Sequence, residues 1–227
     1  MNEAVRLEAK GKHRTSLQKM LDTITFPIRA VTLFHKDALG LSSLATERFH
    51  YVSRYVKGFC LDIGCGPGNR FIKDFCQNFG VGVDVYPYEG LGPENIVQDP
   101  TRLPFPDETF DTVTFIANLN HVPEPMRLPE LAEAFRVLRP KGNIIVTMGS
   151  PIAEILVHQL VALYDKVLGT RVDIDSERGM VEGETYYLTP QQICSYLTQA
   201  GFVYIQRRRC FWTQWGLNSL YTALKPE

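Results

Sequence analysis

The chain has 227 residues, 44% of them hydrophobic and 22% charged, which is enough to bury one α/β-sized core and excludes disorder as the overall state. Twenty-four Lys and Arg stand against 25 Asp and Glu, a formal charge of −1, so there is no global electrostatic footprint for nucleic acid. Cys60, Cys65, Cys76, Cys194 and Cys210 form no C-x-x-C pair, which argues against a zinc ribbon or a thioredoxin-like centre.

No apolar leader and no apolar run of roughly 18 residues is present, so the expectation is a soluble protein of a reducing cytoplasm without a metal site. Residues 1–57 read as a helical cap segment. Leu17, Met20, Leu21 and Ile24 fall at i, i+3, i+4 and i+7 and make one apolar stripe, which Pro27 breaks or kinks. Leu41, Leu44, Ala45, Phe49, Val52 and Val56 make a looser second stripe before Gly58. Arg6, Lys10, Lys12, Arg14 and Lys19 cluster at the front; a solvated terminus is favoured there over a patch for an anionic partner.

From residue 59 the pattern changes. Short apolar runs at 59–63, 81–85, 95–98, 111–117 and 143–148 read as strands. Helical stretches at 71–79 and 128–138 lie between them, the second stopped by Pro140. Strands alternating with helices imply βαβ units and a mostly parallel sheet. An apolar helix over 151–168 and an acidic stretch over 173–184 interrupt this order as an insertion at about 150–188. Thr189 then offers an N-cap, with Pro190 at the first helical position and Gln192 three residues after the cap. Ile193, Leu197 and Ala200 share a face, Gly201 ends the helix, and 202–211 with 217–224 read as a closing hairpin. Residues 58–227 thus form one domain behind the N-terminal segment.

The strongest local signal is Leu61-Asp62-Ile63-Gly64-Cys65-Gly66-Pro67-Gly68-Asn69, at the end of the first strand. Glycines there let the backbone turn tightly and approach a ligand closely. The G-x-G-x-G spacing is not the G-x-G-x-x-G of dinucleotide binders, so a pyrophosphate on the helix N-terminus is not the first expectation. Asp84 ends the second strand 22 residues after Asp62. A carboxylate at that point can accept both ribose hydroxyls of a nucleoside; a solvated strand-end residue is the alternative. Asp99, in Gln98-Asp99-Pro100-Thr101-Arg102-Leu103-Pro104, closes the third strand and suits the exocyclic amine of a flat base.

Five motifs in order over residues 59–149, LDIGCGPGN, GVDVY, QDPTRLPFPDETFD, ANLNHVPEP and FRVLRPKGNIIVT, resemble the class I S-adenosylmethionine-dependent methyltransferases that act on small molecules. The resemblance implies a doubly wound, Rossmann-like sheet of seven strands with the last antiparallel, plus N-terminal helices and a helical insertion as a cap. It implies S-adenosyl-L-methionine as cofactor. Gly64, Gly66 and Gly68, with Cys65 among them, match the loop around the methionine moiety, and Asp62 the acid at its amino group. Asp84 matches the ribose-binding acid, Val85 and Tyr86 the apolar surface against adenine, and Asp99 with Pro100 the adenine amino contact. Asn118 falls near the methionine carboxylate and reactive methyl. Lys141-Gly142 departs from the commoner Gly-Gly at a surface turn.

A sulfonium already activates its methyl group, so the protein need only align an acceptor with it. His121 is the candidate general base for an acceptor that carries a proton; ordering its loop is the alternative. His158 reads as packing. Tyr164, Tyr186, Tyr187, Phe211, Trp212 and Trp215 could line an acceptor pocket or belong to the core. Asp173, Asp175, Glu177 and Glu184 have EF-hand-like spacing, but Arg178 stands where glycine is needed, and a solvated loop is favoured. Arg207-Arg208-Arg209 alternates across both strand faces and gives little support to RNA. The expected function is methyl transfer to a small organic acceptor, a hydrophobic one if the helices around 17–34 and 152–167 cover it. The alternatives are a nicotinamide-dependent oxidoreductase and a catalytically silent methyltransferase fold acting as a binding partner.

Overall fold

The computed structural model describes residues 15–33, 36–150 and 188–227. The insertion expected at about 150–188 lies outside the described residues except for its edges, and with it His158, Tyr164, Tyr186, Tyr187 and the acidic stretch. Six strands, β1 (Cys60–Ile63), β2 (Gly80–Val83), β3 (Phe110–Ile116), β4 (Leu138–Gly149), β5 (Val203–Cys210) and β6 (Asn218–Leu224), form one sheet in the order β2-β1-β3-β4-β6-β5. The pairs β1–β2, β1–β3 and β3–β4 are parallel. The last strand, β6, runs antiparallel between β4 and β5, as the resemblance implies.

Among the described residues the sheet has six strands where seven were expected. Residues 95–98 contribute a single parallel bridge, Asp84 to Ile96, flanked by Asp84 N donating to Asn95 O and Val97 N to Asp84 O. Pro93 and Pro100 bound this short stretch, and proline cannot donate to a ladder. The Asn95 side chain instead donates to Gly82 O at 2.7 Å.

Alternation along the strands builds two cores. On one face Leu61, Ile63, Ile144, Val146 and Met148 pack with Leu131, Ala134 and Val137 of α4 (Glu124–Val137) and with Ile193 and Leu197 of α5 (Pro190–Gln199). On the other, Cys60, Ile145 and Leu220 meet Phe49, Val52 and Val56, which lie on or just past α3 (Leu44–Ser53). Phe71, Ile72 and Phe75 complete that second core.

The α5 cap forms as the residues direct: Thr189 Oγ1 accepts from Gln192 N at 3.3 Å, and Gln192 Oε1 accepts from Thr189 N at 2.9 Å. The other helices depart from expectation in instructive ways. Between β1 and β2 the chain makes a 3-10 turn, Pro67–Asn69, and a π turn, Phe71–Phe75, rather than an α-helix over 71–79. Gly68 and Asn69 both have positive φ, so a regular helix cannot start in the glycine loop. α4 begins at Glu124, four residues early; Pro125 sits in its first turn, and Pro125 and Pro129 both lie on its exposed side.

At the N-terminus, α1 (Ser16–Ile24) opens with a Thr15/Gln18 capping box, and Pro27 starts α2 (Phe26–Thr32) rather than ending a helix. The apolar stripe of α1 faces outward, with Leu17, Met20, Leu21 and Ile24 all exposed. The face turned inward carries Asp22, which is buried against Arg29. Arg29 donates to Ser42 O at 2.6 Å, Asp22 O at 2.6 Å and Glu47 Oε2 at 3.1 Å. Glu47 in turn accepts from Gln214 Nε2 at 3.0 Å and from the Thr213 hydroxyl. A buried guanidinium must be paired, and satisfying Arg29 sets which side of α1 faces the protein.

Candidate functional site

The carboxyl ends of β1, β2 and β3 converge on one crevice, and the glycine loop is its floor. Gly64 N and Cys65 N both donate to Val83 O, at 2.8 and 3.0 Å, which draws the loop across the end of β2. Gly64, Gly66 and Gly68 have φ of 75°, 64° and 72°, a region in which side chains are disfavoured. Their surroundings differ. A Cβ on Gly64 would run into the Asn118 amide, whereas one on Gly66 would meet nothing within 4 Å. The first glycine therefore brings β3's exit against the loop, and the second borders open space. The Cys65 side chain is buried, and burial pushes its thiol well above the ordinary range, which disfavours the thiolate.

Asp84 is buried beside the loop: its Oδ2 accepts from Gly66 N and its Oδ1 from Tyr86 N, both at 3.0 Å. Each oxygen keeps a lone pair for another donor. Val85 and Tyr86, next in the chain, expose apolar side chains. Asp62 is 1% exposed and accepts from Thr114 Oγ1 at 2.6 Å. Burial, with the Asp84 carboxylate adding to it, pushes Asp62 up to about 7.

Asn118 opens the turn after β3 and its carbonyl accepts from His121 N at 2.7 Å, so His121 stands at the mouth of the same strand. Asp99 is exposed; its Oδ1 accepts from Thr101 N and the Thr101 hydroxyl at 2.9 and 2.6 Å, an arrangement that holds its carboxyl below the ordinary range. Pro100 follows it, half-buried. The structure thus gathers Asp62, Gly64, Cys65, Gly66, Asp84 and Asn118 around the loop. Asp99 and Pro100 sit just past the Asp84–Ile96 bridge. Of the aromatic residues singled out, Phe211 belongs to the core and Trp215 is exposed; both lie by the β5–β6 connection.

Three participants escape sequence reasoning. Thr114 meets Asp62 through the β1–β3 register, and only the alternation of D-T-V-T-F hints that it shares a face. Glu130 of α4 is buried, and its carboxyl is pushed up to about 7 by burial and by the Asp99 carboxylate. The loop after β2 folds back so that Gly68 N donates to Glu89 O at 2.9 Å and Gly90 abuts Gly68. The Gly90-Leu91-Gly92-Pro93 run signals a turn there without saying what it covers. Among the described residues no group of His, Cys, Asp and Glu is arranged to hold a metal.

Comparison with known proteins agrees with this geometry. Residues 61–146 match the family model described as a methyltransferase domain. The chain is 32% identical over 139 residues to the demethylmenaquinone methyltransferase of Clavibacter sepedonicus, covering 59% of this chain and 55% of that one. It is 29% identical over 128 residues to a ubiquinone/menaquinone biosynthesis C-methyltransferase of Desulfotalea psychrophila, covering 54% and 51%. The chain therefore spans about half the length of the curated relatives it matches. Among solved structures, Haemonchus contortus phosphoethanolamine N-methyltransferase 2 with S-adenosyl-L-methionine superposes with a TM-score of 0.55 at 15% identity, over 95% of this chain and 61% of that one.

The donor set fits that cofactor. A buried acid without a cationic partner among the described residues (Asp62), a second acid with lone pairs to spare (Asp84) and exposed apolar side chains beside it suit an ammonium, a ribose diol and a base. Gly66 leaves room for a ligand's approach. Residues 61–146 thus match a methyltransferase domain, on a fold shared with S-adenosylmethionine-dependent methyltransferases.

Proposed function

We propose that the protein transfers a methyl group from S-adenosylmethionine to a small organic acceptor. The observation that carries this reading is the meeting of Asp62, the Gly64–Gly68 loop, Asp84 and Asn118 at one strand-end crevice. Asp62 would hold the cofactor's ammonium, and Asp84 its ribose hydroxyls with the oxygens already steadied by Gly66 N and Tyr86 N. Val85 and Tyr86 would face the adenine, with Asp99 and Pro100 at its amino edge. Cys65, Gly66 and Gly68 would border the methionine chain, and Asn118 the end nearest the reacting centre.

Bound there, the cofactor supplies a methyl group already activated by its sulfonium, and the chain's task is alignment and exclusion of water. Orientation of this kind can account for roughly 7–11 kcal/mol of a barrier. His121, at the mouth of β3, would take a proton from an acceptor that carries one, or hold the 118–121 turn in place. The activities of the demethylmenaquinone and ubiquinone/menaquinone methyltransferases it resembles favour a quinone-type ring carbon as acceptor.

Calorimetric titration with S-adenosylmethionine, S-adenosylhomocysteine and NADH tests the reading. Micromolar binding of the two sulfur ligands, absent for NADH and lost in Asp84→Ala, is expected. A folded protein that binds NADH would move the reading to a nicotinamide enzyme, and one that binds none of the three would make it a silent fold. Transfer of labelled methyl to a demethylated quinol, compared with phosphatidylethanolamine, then separates ring-carbon from amine acceptors.

A further inference from the structure

On their exposed side, α1 and α2 carry one apolar stripe. Leu17, Met20, Leu21 and Ile24 are spaced for one helical face, and Ile28, eleven residues after Leu17, returns to it at 3.6 residues per turn. Ile24 is 67% exposed and Ile28 65%. Trp215, 53% exposed, lies beside them: its Nε1 donates to Thr23 O at 2.9 Å and its ring contacts Phe26. A stripe of this kind, ending in a half-exposed indole, is what an element lying in a membrane interface presents.

Charge selects the surface. Between residues 15 and 33 the sole acidic side chain is Asp22, which is buried against Arg29, while Lys19 is exposed. Immediately upstream, residues 1–14 hold Arg6, Lys10, Lys12 and Arg14 against Glu3 and Glu8. Lys10, Lys12 and Arg14 are within five residues of Thr15 in the sequence. The first nineteen residues therefore carry a net +3 in a chain whose total is −1. A second copy of the same face would bring this charge against itself; an anionic lipid surface complements it. Among the described residues no helix is long and apolar enough to cross a membrane, so the contact would be peripheral.

We propose that the α1–α2 face, with Lys19 on it and Trp215 at its end, docks the protein on an anionic lipid bilayer. The proposal is independent of methyl transfer, because attachment requires neither cofactor nor acceptor. It also gives the buried Asp22–Arg29–Glu47 network a purpose: holding Asp22 inward keeps the exposed stripe free of negative charge.

Co-sedimentation of the full chain with phosphatidylcholine vesicles, with and without half phosphatidylglycerol, tests it. Binding to the anionic vesicles is expected, falling at least tenfold in Ile24→Glu/Ile28→Glu and at least tenfold in Lys10→Gln/Lys12→Gln/Arg14→Gln, at roughly one decade or less per cation. Both variants change exposed or terminal positions, and circular dichroism confirms their folding. Equal sedimentation of wild type and the Glu variant would overturn the proposal. So would a stable dimer, seen by light scattering, that the Glu variant splits while wild type ignores both kinds of vesicle; the face would then belong to a second copy.

Discussion

Asp62 and Glu130 make stability depend on pH in a direction unusual for carboxylates. Each is buried and pushed up to about 7, from ordinary values of 3.8 and 4.5. The folded state therefore holds their protons more tightly than the unfolded chain does. Their stabilisation is complete below about pH 4, drains away as pH rises to about 7, and is gone above it. The ligand-free protein should accordingly lose denaturant resistance between pH 4.5 and 7.5. Asp62→Asn keeps the Thr114 hydrogen bond and removes the titration, so at pH 8 it should be more stable than the parent by about 1–4 kcal/mol, with near parity at pH 4.5. Parallel stability curves for the two proteins would show that Asp62 is ionised without cost. Gly66 offers a separate residue-scale test. Its φ of 64° and ψ of −170° suit glycine alone, while the space beyond its Cα is open. Gly66→Ala should thus lower stability by about 1–3 kcal/mol through the backbone only, and Gly64→Ala by more, since the Asn118 amide must also move; chemical denaturation of the pair reads the difference.

The element most dependent on a few polar atoms is the α1–α2 pair. Besides the small apolar cluster of Phe26, Ala30, Leu44 and Leu217 and the Trp215–Thr23 bond, the pair is tied down by Arg29, which reaches α3 at Glu47 and the β5–β6 connection at Thr213. Removing one partner strands the other's charge in a buried site, so Arg29→Met or Glu47→Gln should each cost about 3–5 kcal/mol. The double variant Arg29→Met/Glu47→Leu should recover part of that loss. Amide exchange should show 16–32 opening first in the single variants; uniform exchange would mean that these helices are held by packing instead. The same network explains what was legible in the sequence. Strong local punctuation read correctly: the Thr189 box, the central run at 143–148, the glycine loop and Asp84 at a strand end. Where long-range packing decides, the sequence pattern misleads. The stripe of α1 is legible in the sequence but the side it faces is not: the buried Arg29 guanidinium, bonded to Ser42 O and Glu47, turns Asp22 inward and the stripe outward. Residues 95–98 read as a strand and give one bridge, and Thr114 and Glu130 reach the site only through register and helix docking that no local window contains.

At the scale of the whole molecule the crevice is stitched from distant segments, so a ligand bound there should stabilise the fold as a unit. The glycine loop, the β2 exit and the β3 turn line it, and Arg70, just past the loop, donates to Thr46 of α3 at 3.0 Å. A ligand that binds only the folded state adds about 2.7 kcal/mol at a hundred times its dissociation constant. For a chain of this size each kcal/mol raises the melting temperature by about 2–4 °C. Saturating S-adenosylhomocysteine should therefore lift the midpoint by roughly 5–11 °C, and Asp84→Ala should abolish the rise. Arg29→Met supplies the informative contrast. It lowers the starting midpoint, and the hydrogen bonds described for Arg29 run to Asp22, Ser42, Glu47 and Thr213 rather than to the glycine loop. If the crevice alone holds the ligand, the increment in Arg29→Met should equal that of the parent, since energies at separate sites add. A shrunken increment, measured by calorimetry on the folded variant, would show that α1 and α2 help to close the site.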